Sequence, residues 1–204
     1  MAGQVKHKQI FSSIRPDWRL AKLLLNLRTR STDALLGAVA KVLADEGIEL
    51  ISSTTFLEPL LAEEGVLTNR APDAEECLNI EYGLGVAQAL AGFDIGQTVV
   101  VAAQACVAVE AMEGTDAMLR RAASLVDGKP LRLVKGSRRR QHLLFDVPVV
   151  GPQTVDVMKE TGTSALAIDA GRTLLLDRDE MLRLAAEAGI AIVGCAPEQE
   201  PEKA

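Results

Sequence analysis

Apolar residues recur along this chain at two alternating periods, every three or four positions in some stretches and as short unbroken runs in others. Within residues 16–28, Leu20, Leu23, Leu24 and Leu27 fall at helical spacing behind Pro16 and Asp17, a pair suited to a first turn. A second helix is predicted with Ser31 or Thr32 as cap, with Leu35, Leu36, Val39, Val42 and Leu43 on one face, and with Gly47 as its left-handed end. "IELIS", 48–52, reads as a strand, and a helical turn is expected near Phe56 to Leu61. Residues 73–91 carry Cys77, Ile80, Leu84, Ala87 and Ala91 at spacings of three or four, which predicts the longest helix after a loop "GVLTNRAPDAEE".

The pattern then switches period. "GQTVVVA" and "ACVAVEA", broken at Gln104, predict a hairpin of two strands. Met118, Leu119, Ala122, Leu125 and Val126 form the face of a helix that stops at Asp127-Gly128, and "LRLVK" restores a strand. Further on come the strand "FDVPVVG", a helix from about Pro152 to Thr161, the strand "ALAID", a turn at Gly171-Arg172, the strand "TLLLD", a helix from Arg178 to Ala188 and the strand "IAIVG". Such alternation predicts an α/β, or mixed α+β, sheet with helices on its faces.

Composition narrows the class. Hydrophobic residues make up 48% and charged residues 25% of 204, the balance of a globular domain. No apolar run approaches the ~18 residues that a membrane span needs, and "MAGQVKHKQIF" has no secretory pattern, so a cytoplasmic location is expected. A net charge of -6 and an aromatic content of 3% argue against nucleic acid as partner, leaving Arg138 to Arg140 as an isolated basic cluster. Cys77, Cys106 and Cys195 form no CxxC pair and read as buried thiols of a reducing compartment.

Three stretches carry candidate chemistry. In "EAMEGTD" a strand hands over to a helix through Gly114, where Thr115 and free N–H groups can meet an anion. Glu110, Glu113 and Asp116 would repel a bare phosphate, so the cluster fits either a metal-bridged diphosphate or a simple helix cap. In "KGSRRRQHLLFDVP", Lys135 and the arginines can neutralise phosphate oxygens and Asp146 can act as base or metal ligand; taken alone, the stretch fits a solvated basic loop with an aspartate at a turn slightly better. "AIDAGRTLLLD" offers Asp169 and Arg172 at a strand exit, for a ligand anion or for an internal pair.

The stretches "MAGQVK", "TDALLGAVAKVLADEGIEL", "FDIGQTVVV", "AVEAMEGTDAM", "FDVPVVGPQTV" and "AGRTLLLDRDEML", in this order, resemble the C-terminal part of the UDP-2,3-diacylglucosamine pyrophosphatase family of the non-calcineurin type. The resemblance implies a Mg2+-dependent hydrolase of lipid A biosynthesis that splits UDP-2,3-diacylglucosamine into 2,3-diacylglucosamine 1-phosphate (lipid X) and UMP. It implies Asp146 as the catalytic residue, Glu110, Glu113 and Asp146 as metal ligands, and Thr115, Asp116, Lys135, Gln141 and Arg172 as substrate-binding residues. The alternative it leaves open is a family member that only binds the nucleotide-sugar lipid or lipid X. Family members have a glycine-rich N-terminal α/β domain, so this chain is expected to hold a remnant of it and a linker helix over 1–30, the C-terminal catalytic α/β domain over 31–196 and a disordered tail over 197–204. Transient contact with the inner membrane follows from a lipid substrate, and self-association is expected from apolar surface.

Overall fold

The computed structural model describes residues 18, 25, 32–52, 54–93, 95–136 and 147–196. Its chain divides into two compact units, Met1–Ile51 and Ser52–Ala204. The division lies between Ile51 and Ser52, about twenty residues beyond the boundary expected at residue 30, and the expected tail lies outside the described residues.

In the first unit, Trp18 and Leu25 are helical and exposed, and helix α1 spans Thr32–Asp45. Ser31 lies outside the described residues, and Thr32 is the first helical residue. Gly47 (φ +76°) ends the helix as expected: its N–H donates to Ala44 O (3.0 Å) while Ile48 N–H donates to Leu43 O (2.9 Å). This pair of bonds is a Schellman motif, which consumes carbonyls the helix end leaves open. The strand expected at "IELIS" does not form. Ile48 and Ile51 stay 52% and 55% exposed, and the segment pairs with no strand among the described residues. An alternating pattern without a partner strand has no ladder to hold it.

The second unit is built on six strands in the order β1-β8-β6-β4-β2-β3. These are β1 (Gly65–Val66), β2 (Thr98–Ala102), β3 (Ala105–Val109), β4 (Leu131–Lys135), β6 (Thr163–Asp169) and β8 (Ala191–Cys195). Strands β4, β6 and β8 run parallel, whereas β2, β3 and β1 pair antiparallel with their neighbours. A separate pair, β5 (Val149–Val150) and β7 (Leu174–Leu175), is parallel. The helices are α2 (Ala74–Gly92), α3 (Thr115–Ala123), α4 (Pro152–Thr161) and α5 (Arg178–Glu187).

Both faces of the sheet are covered, which explains why its strands read as continuous apolar runs. Val99, Val101, Val134, Ala165, Ala167 and Ala191 pack with Ile80 and Ala87 of α2 on one face. Val100, Leu131, Leu133, Leu166, Ile168 and Ile192 pack on the other with Met118, Leu119, Val155, Met158 and Met181 of α3, α4 and α5. The predicted mixed α/β fold is thus found, with helices on both faces.

Ala103 and Gln104 take φ of 48° and 56° at the hairpin turn, the left-handed pair that a two-residue turn requires. The turn is held from outside its own strands. Gln104 N–H donates to Asn79 Oδ1 (2.8 Å), and the buried Asn79 donates from Nδ2 to Glu75 O (2.7 Å).

Three details depart from expectation. Strand β1 lies within a predicted loop. Of "FDVPVVG", Phe145 and Asp146 lie outside the described residues, and among the rest Val149–Val150 is strand. Cys77 is exposed and Cys106 and Cys195 are half-buried, so the thiols are not the buried set expected. The α2 face that packs inward carries Glu76, Asn79, Ile80, Gly83 and Ala87, which turns Cys77 outward.

Candidate functional site

The parallel strands β4, β6 and β8 end together, at Lys135, Asp169 and Cys195. Because β2 runs against β4, its first residue Thr98 sits opposite Lys135, and β3 ends nearby with Val109 opposite Val99. Helix α3 begins just after β3. Open α/β sheets bind ligands beyond the carboxyl ends of their strands, since loops and helix N-termini converge there.

Three of the predicted residues meet at this edge. The Lys135 ammonium donates to Thr115 Oγ1 (3.1 Å), and the Thr115 hydroxyl donates to Glu110 Oε2 (2.9 Å). An ammonium only donates and a carboxylate only accepts, so the direction of this relay is fixed. Register explains the meeting: Leu131 and Leu133 lie in the α3-side core, so Lys135, two residues on, leaves β4 on that face.

Thr115 does not cap α3. Gly114 is the N-cap (φ +88°), no side chain caps the helix, and Thr115 is its first residue with its hydroxyl spent on Glu110. The first backbone bond is from Met118 N–H to Gly114 O, so the amides of Thr115, Asp116 and Ala117 have no carbonyl within the helix. Asp116 Oδ2 accepts from Gln153 Nε2 (2.6 Å), which ties the start of α3 to the first turn of α4.

Glu113 points elsewhere. Its Oε1 accepts from Arg121 (2.6 Å), and its Oε2 lies 3.1 and 3.2 Å from the N–H groups of Ala111 and Met112. The Arg121 hydrogen bond, followed by backbone bonds, holds its carboxyl down at about 2. Arg172 lies in the turn after β6, with its N–H on Asp169 O (3.4 Å), while Gly171 N–H donates to Ala62 O (2.8 Å). Asp146 and Gln141 lie outside the described residues, and so does the basic cluster 138–140.

Two residues without a sequence signal belong to this edge. Thr98 is 1% exposed and its Oγ1 has no hydrogen-bond partner, an unsatisfied hydroxyl beside Lys135. Gly96 lets two chain segments cross: a Cβ there would lie 1.9 Å from the carbonyl oxygen of Glu110. Gly96→Ala is therefore expected to cost roughly 1–3 kcal/mol and to displace Glu110. Gly85→Ala, where a Cβ meets nothing within 4 Å, is the control and should leave stability equal or higher in urea unfolding.

Among the described residues, no group of three or more His, Cys, Asp or Glu is gathered to hold a metal. Mg2+ needs less than that, since it keeps several waters and takes one or two carboxylates besides phosphate oxygens. Glu110 fits such a role: among the described residues, the hydrogen bond from Thr115 reaches its Oε2.

The opposite edge is built differently. Glu76, 2% exposed, accepts from Arg70 through both oxygens (2.7 and 2.9 Å) and from Ser164 Oγ (2.6 Å). It also completes a capping box with Asp73 at the start of α2. Arg70 donates further to Gly189 O and Ser164 O. Every oxygen here is saturated by the protein itself, the mark of a structural staple rather than of a site awaiting a ligand.

The second unit is thus an open α/β sheet with an oriented Lys-Thr-Glu relay at the carboxyl ends of its strands. Comparison with known proteins makes this specific. The family model for the LpxI C-terminal domain matches residues 63–193 and that for the LpxI N-terminal domain matches residues 1–60; the chain belongs to the LpxI family. It is 33% identical over 210 residues to the UDP-2,3-diacylglucosamine pyrophosphatase LpxI of Caulobacter vibrioides, covering 98% of this chain and 75% of that protein. The match over 1–60 overturns the expectation that the N-terminal domain is largely missing.

Proposed function

We propose that this protein hydrolyses UDP-2,3-diacylglucosamine to lipid X and UMP at the carboxyl edge of its sheet. The observation that carries this reading is the 33% identity over 98% of the chain to an enzyme named for that substrate. The relay at Lys135 supports it from the side of chemistry. Lys135 and the open amides of α3 offer positive potential to a diphosphate, and the Thr98 hydroxyl offers a further hydrogen bond.

In hydrolysis, a water oxygen bonds to one phosphorus, the anhydride P–O bond breaks, and the leaving phosphate takes up the electron pair. Asp146 accepts the proton of the attacking water. Lys135, Thr115 and the α3 amides hold phosphate oxygens, with Arg172 and Gln141 completing the substrate contacts, and Asp116 orients the α3 start through Gln153. Glu110 and Asp146 would hold Mg2+, which would neutralise the charge of the diphosphate. Glu113, expected as a third metal ligand, instead has its oxygens on Arg121 and on the Ala111 and Met112 amides, so the set proposed here rests on Glu110 and Asp146.

No helix among the described residues is long and apolar enough to cross a membrane. The acyl chains of the substrate place the enzyme in transient contact with the cytoplasmic face of the inner membrane. The test is incubation of the purified full chain with UDP-2,3-diacylglucosamine and mass spectrometry of the products. UMP and lipid X are expected in equal amounts with Mg2+ and not with chelator or in Asp146→Asn. Product no greater than in a protein-free control overturns the reading.

A further inference from the structure

The loop Glu110–Gly114 decides where Glu110 and Thr115 stand, and one side chain outside the relay closes it. A single nitrogen of Arg121, Nη2, donates to Glu113 Oε1 (2.6 Å) and to the carbonyl of Val109 (3.1 Å), the last residue of β3. The other oxygen of Glu113 receives the N–H groups of Ala111 and Met112. Arg121 thus ties the strand end before Glu110 to the residue before Gly114, and closes a ring around Glu110 that ends one residue short of the turn into Thr115. On the inner side Gly96 lies against the Glu110 carbonyl, so the loop is gripped from both sides.

We propose that Arg121 is a positioning residue that, through Glu113, holds Glu110 and Thr115 in register with Lys135. The inference rests on the function proposed above. Neither side chain touches the relay itself. Their side chains are 47% and 32% exposed, so the pair adds little to global stability and its main effect is local order. The carboxyl of Glu113 stays ionised through the neutral range, so the ring remains closed there.

In Arg121→Gln, kcat should fall by up to roughly 10-fold, no further than in Thr115→Val, because the relay is displaced by a fraction of an ångström to an ångström. KM should change much less, and the melting temperature should move by no more than about 3 °C. Arg121→Lys should recover part of the loss, since an ammonium can donate to the same acceptors from a side chain one bond shorter. Combined with Thr115→Val, Arg121→Gln should add nothing, because both act through one relay.

Full kcat in Arg121→Gln overturns the proposal, as does a loss that multiplies with that of Thr115→Val. Should Lys135→Ala also keep full turnover, the proposed site itself fails rather than the clamp alone. Amide exchange judges the clamp independently of turnover. Protection at Ala111 and Met112 should drop in Arg121→Gln and Glu113→Gln, and unchanged protection overturns it.

Discussion

Lys135→Met is expected to lower kcat for UDP-2,3-diacylglucosamine by roughly 100- to 1,000-fold, the scale of losing one oriented donor to a developing phosphate charge. Methionine keeps the apolar stem of the side chain and removes only its charge and donors. One of the three ammonium N–H groups is taken by Thr115 Oγ1, which aims the group. Thr115→Val keeps Lys135 but removes its guide, and is expected to cost less, roughly 10-fold. Steady-state release of UMP reads both, with the melting temperature confirming that the fold is intact. Turnover of Lys135→Met at the wild-type rate would place the phosphate site elsewhere.

Glu76→Ala is expected to be the most destabilising single change at the far edge, by about 3 kcal/mol, because it strands a partly buried Arg70 and the Ser164 hydroxyl. For a chain of this length that corresponds to a drop in melting temperature of roughly 6–12 °C. The pH dependence follows from the carboxyl itself. Burial pushes its pKa up, but hydrogen bonds from Arg70, Ser164 and the Asp73 amide, with the Arg70 charge, outweigh burial and bring it from 4.5 to about 2.

A carboxyl lower in the folded than in the unfolded chain binds fewer protons when folded, so its contribution is complete above the unfolded value. It is lost as pH falls from 4.5 through about 2. The shift is worth about 3 kcal/mol, in line with the cost of removing the group. Urea unfolding should therefore show a gap between wild type and Glu76→Gln that is full near pH 7 and closes as acid is added. A gap independent of pH would mean that Glu76 acts by packing alone.

Much of the fold was legible in the pattern of residues. Pro152 at the first turn and Gly162 after the last bounded α4, and the valine runs around Gln104 marked the β2–β3 hairpin. Local signals sufficed because each of these elements carries its own ends. The order of the sheet was not legible, since β4, β6 and β8 pair across long stretches of chain. Nor was β1, two residues long, recognisable without the strand β8 that it edges.

At the site, the cluster Glu110, Glu113, Asp116 was visible as three carboxylates, but their division of labour was not. It depends on Gly114 at φ +88° and on Arg121 reaching back from α3, which sends Glu113 to the backbone and leaves Glu110 to the relay. Thr98 gave no signal at all, because its importance lies in an unsatisfied hydroxyl that only strand register reveals. Spacing finds groups that can cooperate; backbone conformation decides which of them do.

The location of the site is tested most directly by titrating the 15N-labelled full chain with UMP and with lipid X and following backbone amides by NMR. The largest shifts are predicted at Gln97 and Thr98, at Glu110 to Ala117, and at Lys135 and Gly136. Shifts confined to the opposite edge, at Arg70, Glu76, Ser164 and Gly189, would contradict the assignment of the carboxyl edge as the place where the nucleotide-sugar lipid is held.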